Sequence, residues 1–149
     1  MKLEDKQYEE YILKLAQYCR DECFFGEYYQ LVRFKDKNRK DDQYGTFGTA
    51  LLDIDIDEVY LQMMINVYPS MRGYYDSGKF KECGKAMLHE ICHVFIKPVT
   101  NLWDWDDSAS QRAEHSNVIE RQTQRITNAL HAAFPRGWYL PSKIMKVKK

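Results

Sequence analysis

The stretch His89-Glu90-Ile91-Cys92-His93 has the H-E-x-x-H pattern, in which two histidines stand four residues apart with a glutamate beside the first. On a helix, residues four apart lie on the same face, so both imidazoles can point at one cation. Glu90, rotated by about 100° from His89, can then reach a water molecule on that cation. The pattern predicts a helix that carries a metal site, with His89 and His93 as two of its ligands.

The residues around this motif indicate a helix independently of it. Apolar side chains recur at steps of three and four residues, the spacing of a single buried stripe. They are Phe80, Cys83, Met87, Ile91, Val94 and Phe95. At about 100° per residue, both histidines fall on the side opposite this stripe. The alternative interpretation is therefore a chance pair of surface histidines rather than histidines of the core.

The third ligand must come from elsewhere, because a catalytic zinc site takes three protein ligands and keeps one position for water. A last helix, predicted over about 109–131, offers Glu114, His115 and Glu120. Its apolar stripe places Glu114 toward solvent, and that stripe consists of Ile119, Thr123, Ile126, Leu130 and Ala133. Glu120 flanks the stripe and His115 lies nearer its centre, so geometry leaves both open as ligands.

The ordered set of His89-Glu90-x-x-His93, a loop and a helix bearing Glu120-Arg121-Gln122-Thr123 resembles the glutamate-type zincins, or gluzincins. The short chain also resembles small metallopeptidases encoded by phages or prophages. The resemblance implies that one Zn²⁺ ion is held by His89, His93 and Glu120, with Thr123 steadying the site. The helix geometry keeps His115 as the alternative ligand. The third histidine of the HExxHxxGxxH arrangement is absent, so a metzincin-like site is not expected.

Such a site predicts a zinc-dependent metallopeptidase that acts on a peptide or protein substrate. Zinc lowers the pKa of its bound water, and Glu90 is the predicted general base that takes the water's proton. The resemblance implies a further donor to the oxyanion, for which Tyr139 and His131 are candidates. The second hypothesis is a catalytically silent zincin-fold protein with structural zinc, acting as a binding or inhibitory module.

Composition limits the other classes. The chain of 149 residues suffices for one domain with a sizeable core, predicted to span 1–149. Basic and acidic residues number 22 each, so neither a nucleic-acid nor a membrane partner is expected. We expect a cytoplasmic protein, because the sequence has no long apolar run and no secretory signal. The four cysteines are too few for a disulfide framework, so they are predicted to be reduced and structural.

The periodicities predict an α+β fold. They indicate an N-terminal helix over 3–20 and strands over 27–34, 52–57 and 59–68. Since 35–42 is polar and suits a hairpin loop, we predict a small three-stranded sheet that is mainly antiparallel. The resemblance implies a minimal zincin-like domain, in which the HExxH helix and the C-terminal third-ligand helix complete the fold.

Aspartates alternate with isoleucines in the strand over 52–57, at Asp53, Asp55 and Asp57. A calcium-binding loop with this spacing requires glycine where the chain has Glu58, so the aspartates are predicted to form an outer strand face. The strand over 59–68 is interpreted either as an edge that binds substrate, as in zincins, or as an interior strand.

The remaining predictions concern the ends of elements. Pro69 is predicted to end the last strand, Asp76 or Ser77 to N-cap the HExxH helix, and Pro98 to close that helix. Ser108 and Gln111 resemble a capping box for the last helix. The basic end over 143–149 is predicted to be a flexible tail.

Overall fold

A computed structural model describes residues 3–35, 51–100 and 108–146. The elements in chain order are α1 (Leu3–Glu22), β1 (Tyr29–Phe34), β2 (Leu52–Asp57), β3 (Gln62–Val67), α2 (Pro69–Asp76), α3 (Phe80–Thr100), α4 (Ala109–Ala133) and α5 (Pro141–Ile144). Over these residues the fold is α+β, which confirms the predicted class, with five helices and one three-stranded sheet. Each described helix is either too short or too polar to cross a bilayer.

The sheet is mixed, so the prediction of a mainly antiparallel sheet is wrong. β3 lies in the centre, parallel to β1 and antiparallel to β2, with Phe34 and Leu52 aligned on Val67 from its two sides. β3 takes this place because it is the most apolar strand, and Met63 and Ile65 are fully buried. The interior alternative for this strand is therefore confirmed.

The order of the strands excludes a hairpin between β1 and β2, which lie on opposite sides of β3. Most of the predicted hairpin loop, residues 36–42, lies outside the described residues. The alternating pattern of β2 suits its position at the side of the sheet, because a strand there needs only one apolar face.

The core lies between the sheet and the helices α1 and α3, which pack against each other. The apolar stripe predicted for α3 is confirmed at four positions that are buried, Cys83, Met87, Ile91 and Val94, whereas Phe95 is exposed. α1 contributes a second stripe, which consists of Tyr8, Tyr11, Ile12, Leu15, Ala16 and Cys19. All four cysteines are unpaired and buried.

Two predicted boundaries differ in the structure, and Pro69, which follows the end of β3 as predicted, has a second effect. Pro69 also starts α2, because proline at the first helical position lacks only an N–H that would have no helical partner. Ser77 caps the C-terminal end of α2, so neither it nor Asp76 caps the start of α3. Pro98 lies inside α3, which continues beyond it.

The C-terminal part of the chain is anchored at both ends of α4. The capping box is confirmed, because the Gln111 backbone N–H donates to Ser108 Oγ and the Ser108 N–H donates to the Gln111 side chain. After α4, Ile144 is fully buried and Lys14 Nζ donates to the Met145 carbonyl. The predicted flexible tail therefore does not begin at residue 143, and residues 147–149 lie outside the described part of the chain.

Candidate metal centre

The centre lies where α4 packs along α3. Glu120 of α4 bridges the two histidines of α3: its Oε2 lies 3.1 Å from His89 Nε2, and its Oε1 lies 3.5 Å from His93 Nε2. Within the described ranges, these residues are the one group of three or more His, Cys, Asp or Glu side chains whose ligand atoms all lie within 4.8 Å of one another. The two rings stand nearly perpendicular, with centroids 5.0 Å apart.

The placement of the histidines follows from the stripe on α3. They lie one helical turn apart on the face opposite the buried residues, and α4 covers that face. The side chains of His89 and His93 are 18% and 19% exposed, whereas that of Glu120 is 60% exposed. The centre is therefore shielded by the helix pair and open to solvent on the side of Glu120, which argues against two free surface histidines.

Thr123 holds one of the imidazoles. It is fully buried on α4, one turn beyond Glu120, and its Oγ1 lies 3.3 Å from His93 Nδ1. A partner on Nδ1 fixes the ring and leaves Nε2 to face a cation. The Nδ1 of His89 is buried and has no partner within the described residues, so His89 also makes its polar contact through Nε2.

Glu90 lies beside this group without belonging to it. Its Oε2 is 4.0 Å from His93 Nε2, and its side chain is only 18% exposed. Burial, together with the smaller effects of the negative charges of Glu120 and Asp53, raises the pKa of Glu90 from an ordinary value of about 4.5 to about 8. A nearby cation would oppose this shift, because positive charge favours the ionised carboxylate.

The electrostatics of His93 suit a ligand. Burial lowers the pKa of His93, the negative charge of Glu120 opposes that effect, and His89 adds to it. An imidazole must be neutral to donate its lone pair to a metal, so a lowered pKa favours the binding form.

A sheet residue near Glu90 was not identified from the sequence. Asp53 of β2 acts on the pKa of Glu90, because β2 lies alongside α3. It accepts a 2.6 Å hydrogen bond from Asn66 Nδ2 and a second bond from the hydroxyl of Tyr68. The alternating pattern predicted a polar outer face for Asp53, but no local signal shows that this strand borders the HExxH helix.

Two predicted donors lie away from the centre. His131 follows Glu120 by 11 residues on α4, which places it about 16 Å further along the helix. Its Nδ1 accepts a 3.2 Å hydrogen bond from Trp138 Nε1, and its ring stacks on Tyr139. Tyr139 packs closely against Gly84 in the first turns of α3. The structure does not bring either residue to the three ligands.

Of the two alternatives for the third ligand, the structure brings Glu120 to the histidines. His115 is half-buried on α4 and lies outside the group of three. Glu114 is exposed, as its position opposite the apolar stripe predicted.

A scan against protein-family models finds no match for this chain, and searches of curated proteins and of solved structures find none either. The interpretation of the centre therefore depends on its own geometry.

The donor set fits a zinc ion. Two imidazole nitrogens and one carboxylate oxygen converge from two packed helices, which is a ligand set known for catalytic zinc with a position left for water. Imidazole nitrogens suit zinc better than they suit magnesium or calcium, which prefer oxygen ligands. Glu90 supplies a further carboxylate beside this group without being a member of it.

Proposed function

We propose that the protein is a zinc-dependent metallopeptidase of the gluzincin type, built as a minimal zincin-like domain. One observation carries the proposal. The ligand atoms of His89, His93 and Glu120 all lie within 4.8 Å of one another, and a second carboxylate, that of Glu90, lies partly buried beside them. The substrate would be a peptide or protein, with one Zn²⁺ ion as cofactor, and we place the protein in the cytoplasm.

Each residue has a role that follows from its position. A bound zinc ion would act as a Lewis acid, which polarises a substrate carbonyl and makes water more acidic. His89, His93 and Glu120 would hold the ion, and Thr123 would orient His93. Glu90 would take the proton from water as its oxygen attacks the peptide carbon, and would pass that proton to the leaving amine.

The position of Glu90 also indicates where a substrate would lie. Glu120 on α4 and Asp53 on β2 both act on its carboxylate, so Glu90 faces the space between α4 and the sheet. β2 is the strand that packs alongside α3, and within the described residues it pairs only with β3. An extended peptide would therefore lie along β2, and β3 is excluded from that role because both of its sides are paired.

Metal content and hydrolysis together test the proposal. The purified protein should bind one zinc ion and cleave members of a mixed peptide library. Glu90→Gln should keep the zinc and lose at least about a hundredfold in kcat, the range expected for removing a general base. Glu120→Gln should lose zinc, whereas the matched control Glu114→Gln, an exposed residue of the same helix, should retain both properties. A native protein that binds no zinc would refute the proposal.

A catalytically silent domain with structural zinc is the second candidate. The observation that favours it is the burial of Glu90, which in the metal-free protein raises its pKa to about 8 and disfavours the ionised base. Two results together would support this candidate. The native protein would bind zinc without cleaving any peptide, and zinc would stabilise the native chain and Glu90→Gln equally.

A further inference from the structure

β2 has two different faces and one side that faces away from β3. Its register with β3 aligns Leu52 with Val67 and Ile54 with Ile65, so the apolar side chains of β2 lie on the core face of the sheet. Asp53, Asp55 and Asp57 alternate with them and lie on the opposite face. Within the described ranges, the backbone groups of β2 that point away from β3 have no strand to pair with.

The charges on that face are not neutralised within the described parts of the chain. Asp53 and Asp55 accept hydrogen bonds from the neutral Asn66 Nδ2, at 2.6 and 3.2 Å. Asp57 Oδ1 accepts from the backbone N–H groups of Val59 and Tyr60, at 3.0 and 3.1 Å. No described lysine or arginine forms an ion pair with these aspartates.

Asn66 gives a second indication that a donor is missing at this face. It lies directly opposite Asp53 in the register and is 5% exposed. Its Nδ2 is used by the two aspartates, but its Oδ1 is buried without a partner in the described residues. A buried acceptor that has no donor is unfavourable, so the described chain alone leaves this polar group incomplete.

We propose that the outer side of β2 binds an extended polypeptide in which basic residues occupy every second position and apolar residues stand between them. A chain added to a strand places its side chains alternately on the two faces of the sheet. Alternate residues would therefore lie opposite Asp53, Asp55 and Asp57, where positive charge is favoured. The residues between them would lie beside Leu52, Ile54 and Ile56. This inference rests on the proposed function, since it gives the substrate class of that site.

The test separates binding from cleavage. The zinc-loaded Glu90→Gln variant is titrated against short fluorescent peptides in which Lys, Thr or Glu alternates with Val, and binding is followed by anisotropy. Each opposite-charge pair across two strands is expected to contribute about two- to fivefold in affinity. Three such pairs should give the Lys peptide a roughly ten- to hundredfold advantage over the Thr peptide, and the Glu peptide should bind more weakly still. An isomer with its lysines and valines in two blocks should bind several-fold more weakly than the alternating peptide.

Asp55→Asn/Asp57→Asn, made in the same background, removes two charges and keeps the acceptor oxygens for Asn66, Val59 and Tyr60. The advantage of the Lys peptide should fall to about two- to fivefold, one remaining pair's share. Glu4→Gln/Glu9→Gln removes the same amount of charge from α1 instead of from β2 and should leave the preference unchanged.

The inference is overturned if no peptide binds, if the Lys, Thr and Glu peptides bind equally, or if the preference survives in the double aspartate variant. Cleavage by the native protein reports separately on the proposed function. If the native protein cuts none of these peptides while Glu90→Gln still prefers the Lys peptide, the metallopeptidase proposal fails and the strand remains a binding site for basic extended segments.

Discussion

Replacing Thr123 by valine removes one hydroxyl from the centre and changes little else. The two side chains have nearly the same shape, and the Thr123 Oγ1 is the group that contacts His93 Nδ1, at 3.3 Å. Thr123 is fully buried, so water cannot easily take the place of the lost hydroxyl. The hydrogen bond from Thr127 Oγ1 goes to the backbone carbonyl of Thr123 and is kept in the variant.

The expected loss of zinc affinity follows from the role of such partners. Removing the group that orients a ligating histidine typically weakens metal binding by about ten- to hundredfold. A separation of 3.3 Å is longer than an ordinary hydrogen bond, so we expect a loss near tenfold, or about 1.4 kcal/mol. The free energy of unfolding of the metal-free protein should fall by about 1–3 kcal/mol, because the partly buried His93 loses the partner of its Nδ1.

Competition with a chromophoric chelator measures the zinc dissociation constant of native, Thr123→Val and Thr123→Ser proteins. The serine variant keeps the hydroxyl, so its zinc affinity should lie closer to that of the native protein than to that of the valine variant. Equal zinc affinity for the valine variant and the native protein would show that Thr123 does not orient His93, and would refute the role proposed for Thr123 in the centre.

Three other predictions follow from single contacts. Gly84→Ala should lower the free energy of unfolding, measured in urea, by about 1–3 kcal/mol, because the new Cβ would lie 2.5 Å from Tyr139 Cβ. Its control, Gly73→Ala, whose new Cβ would have no atom within 4 Å, should raise that free energy by about 0.4–1 kcal/mol. Ser108→Ala should cost α4 about 1 kcal/mol, measured in the same way, since the capping box is lost. As the pH rises from 5 to 8, the metal-free native protein should lose a few kcal/mol of stability relative to Glu90→Gln, at about 1.4 kcal/mol per pKa unit. The reason is that the folded state keeps the Glu90 proton up to about pH 8, whereas the unfolded state releases it near pH 4.5. Equal pH dependence of the two proteins in urea unfolding would contradict the assigned burial of Glu90.

The sequence was sufficient for features that depend on neighbouring residues. The stripe on α3, the capping box at Ser108 and the alternation in β2 are set by spacing within a few residues, and all three are present in the structure. The local patterns predicted less where one residue has two structural effects. Pro69 ends a strand and also starts a helix, and only the second effect was missed.

Features that depend on distant parts of the chain could not be read from these patterns. The order of the strands is decided by which strand is apolar enough to be covered on both sides, and the parallel pairing of β1 with β3 leaves no mark on either segment. The choice between His115 and Glu120 likewise depends on the axial register of α4 against α3, because both residues lie on faces of α4 that can approach α3. The contact of Thr123 with His93 fixes that register and places Glu120 over the histidines.

Although burial disfavours the ionised form of Glu90 in the metal-free protein, the presence of a carboxyl at this position bears on the choice between the two candidate functions in the opposite direction. A carboxyl whose pKa is raised to about 8 by burial, beside Glu120 and Asp53, destabilises the folded state at neutral pH. A structural zinc site is normally closed by four protein ligands, whereas the group of His89, His93 and Glu120 supplies three and leaves Glu90 outside it. A hydrolytic site needs such a carboxyl, since a base beside the metal must accept a proton and release it again. The fold therefore keeps a destabilising side chain at the position where a peptidase requires one, which favours the enzyme over the silent module.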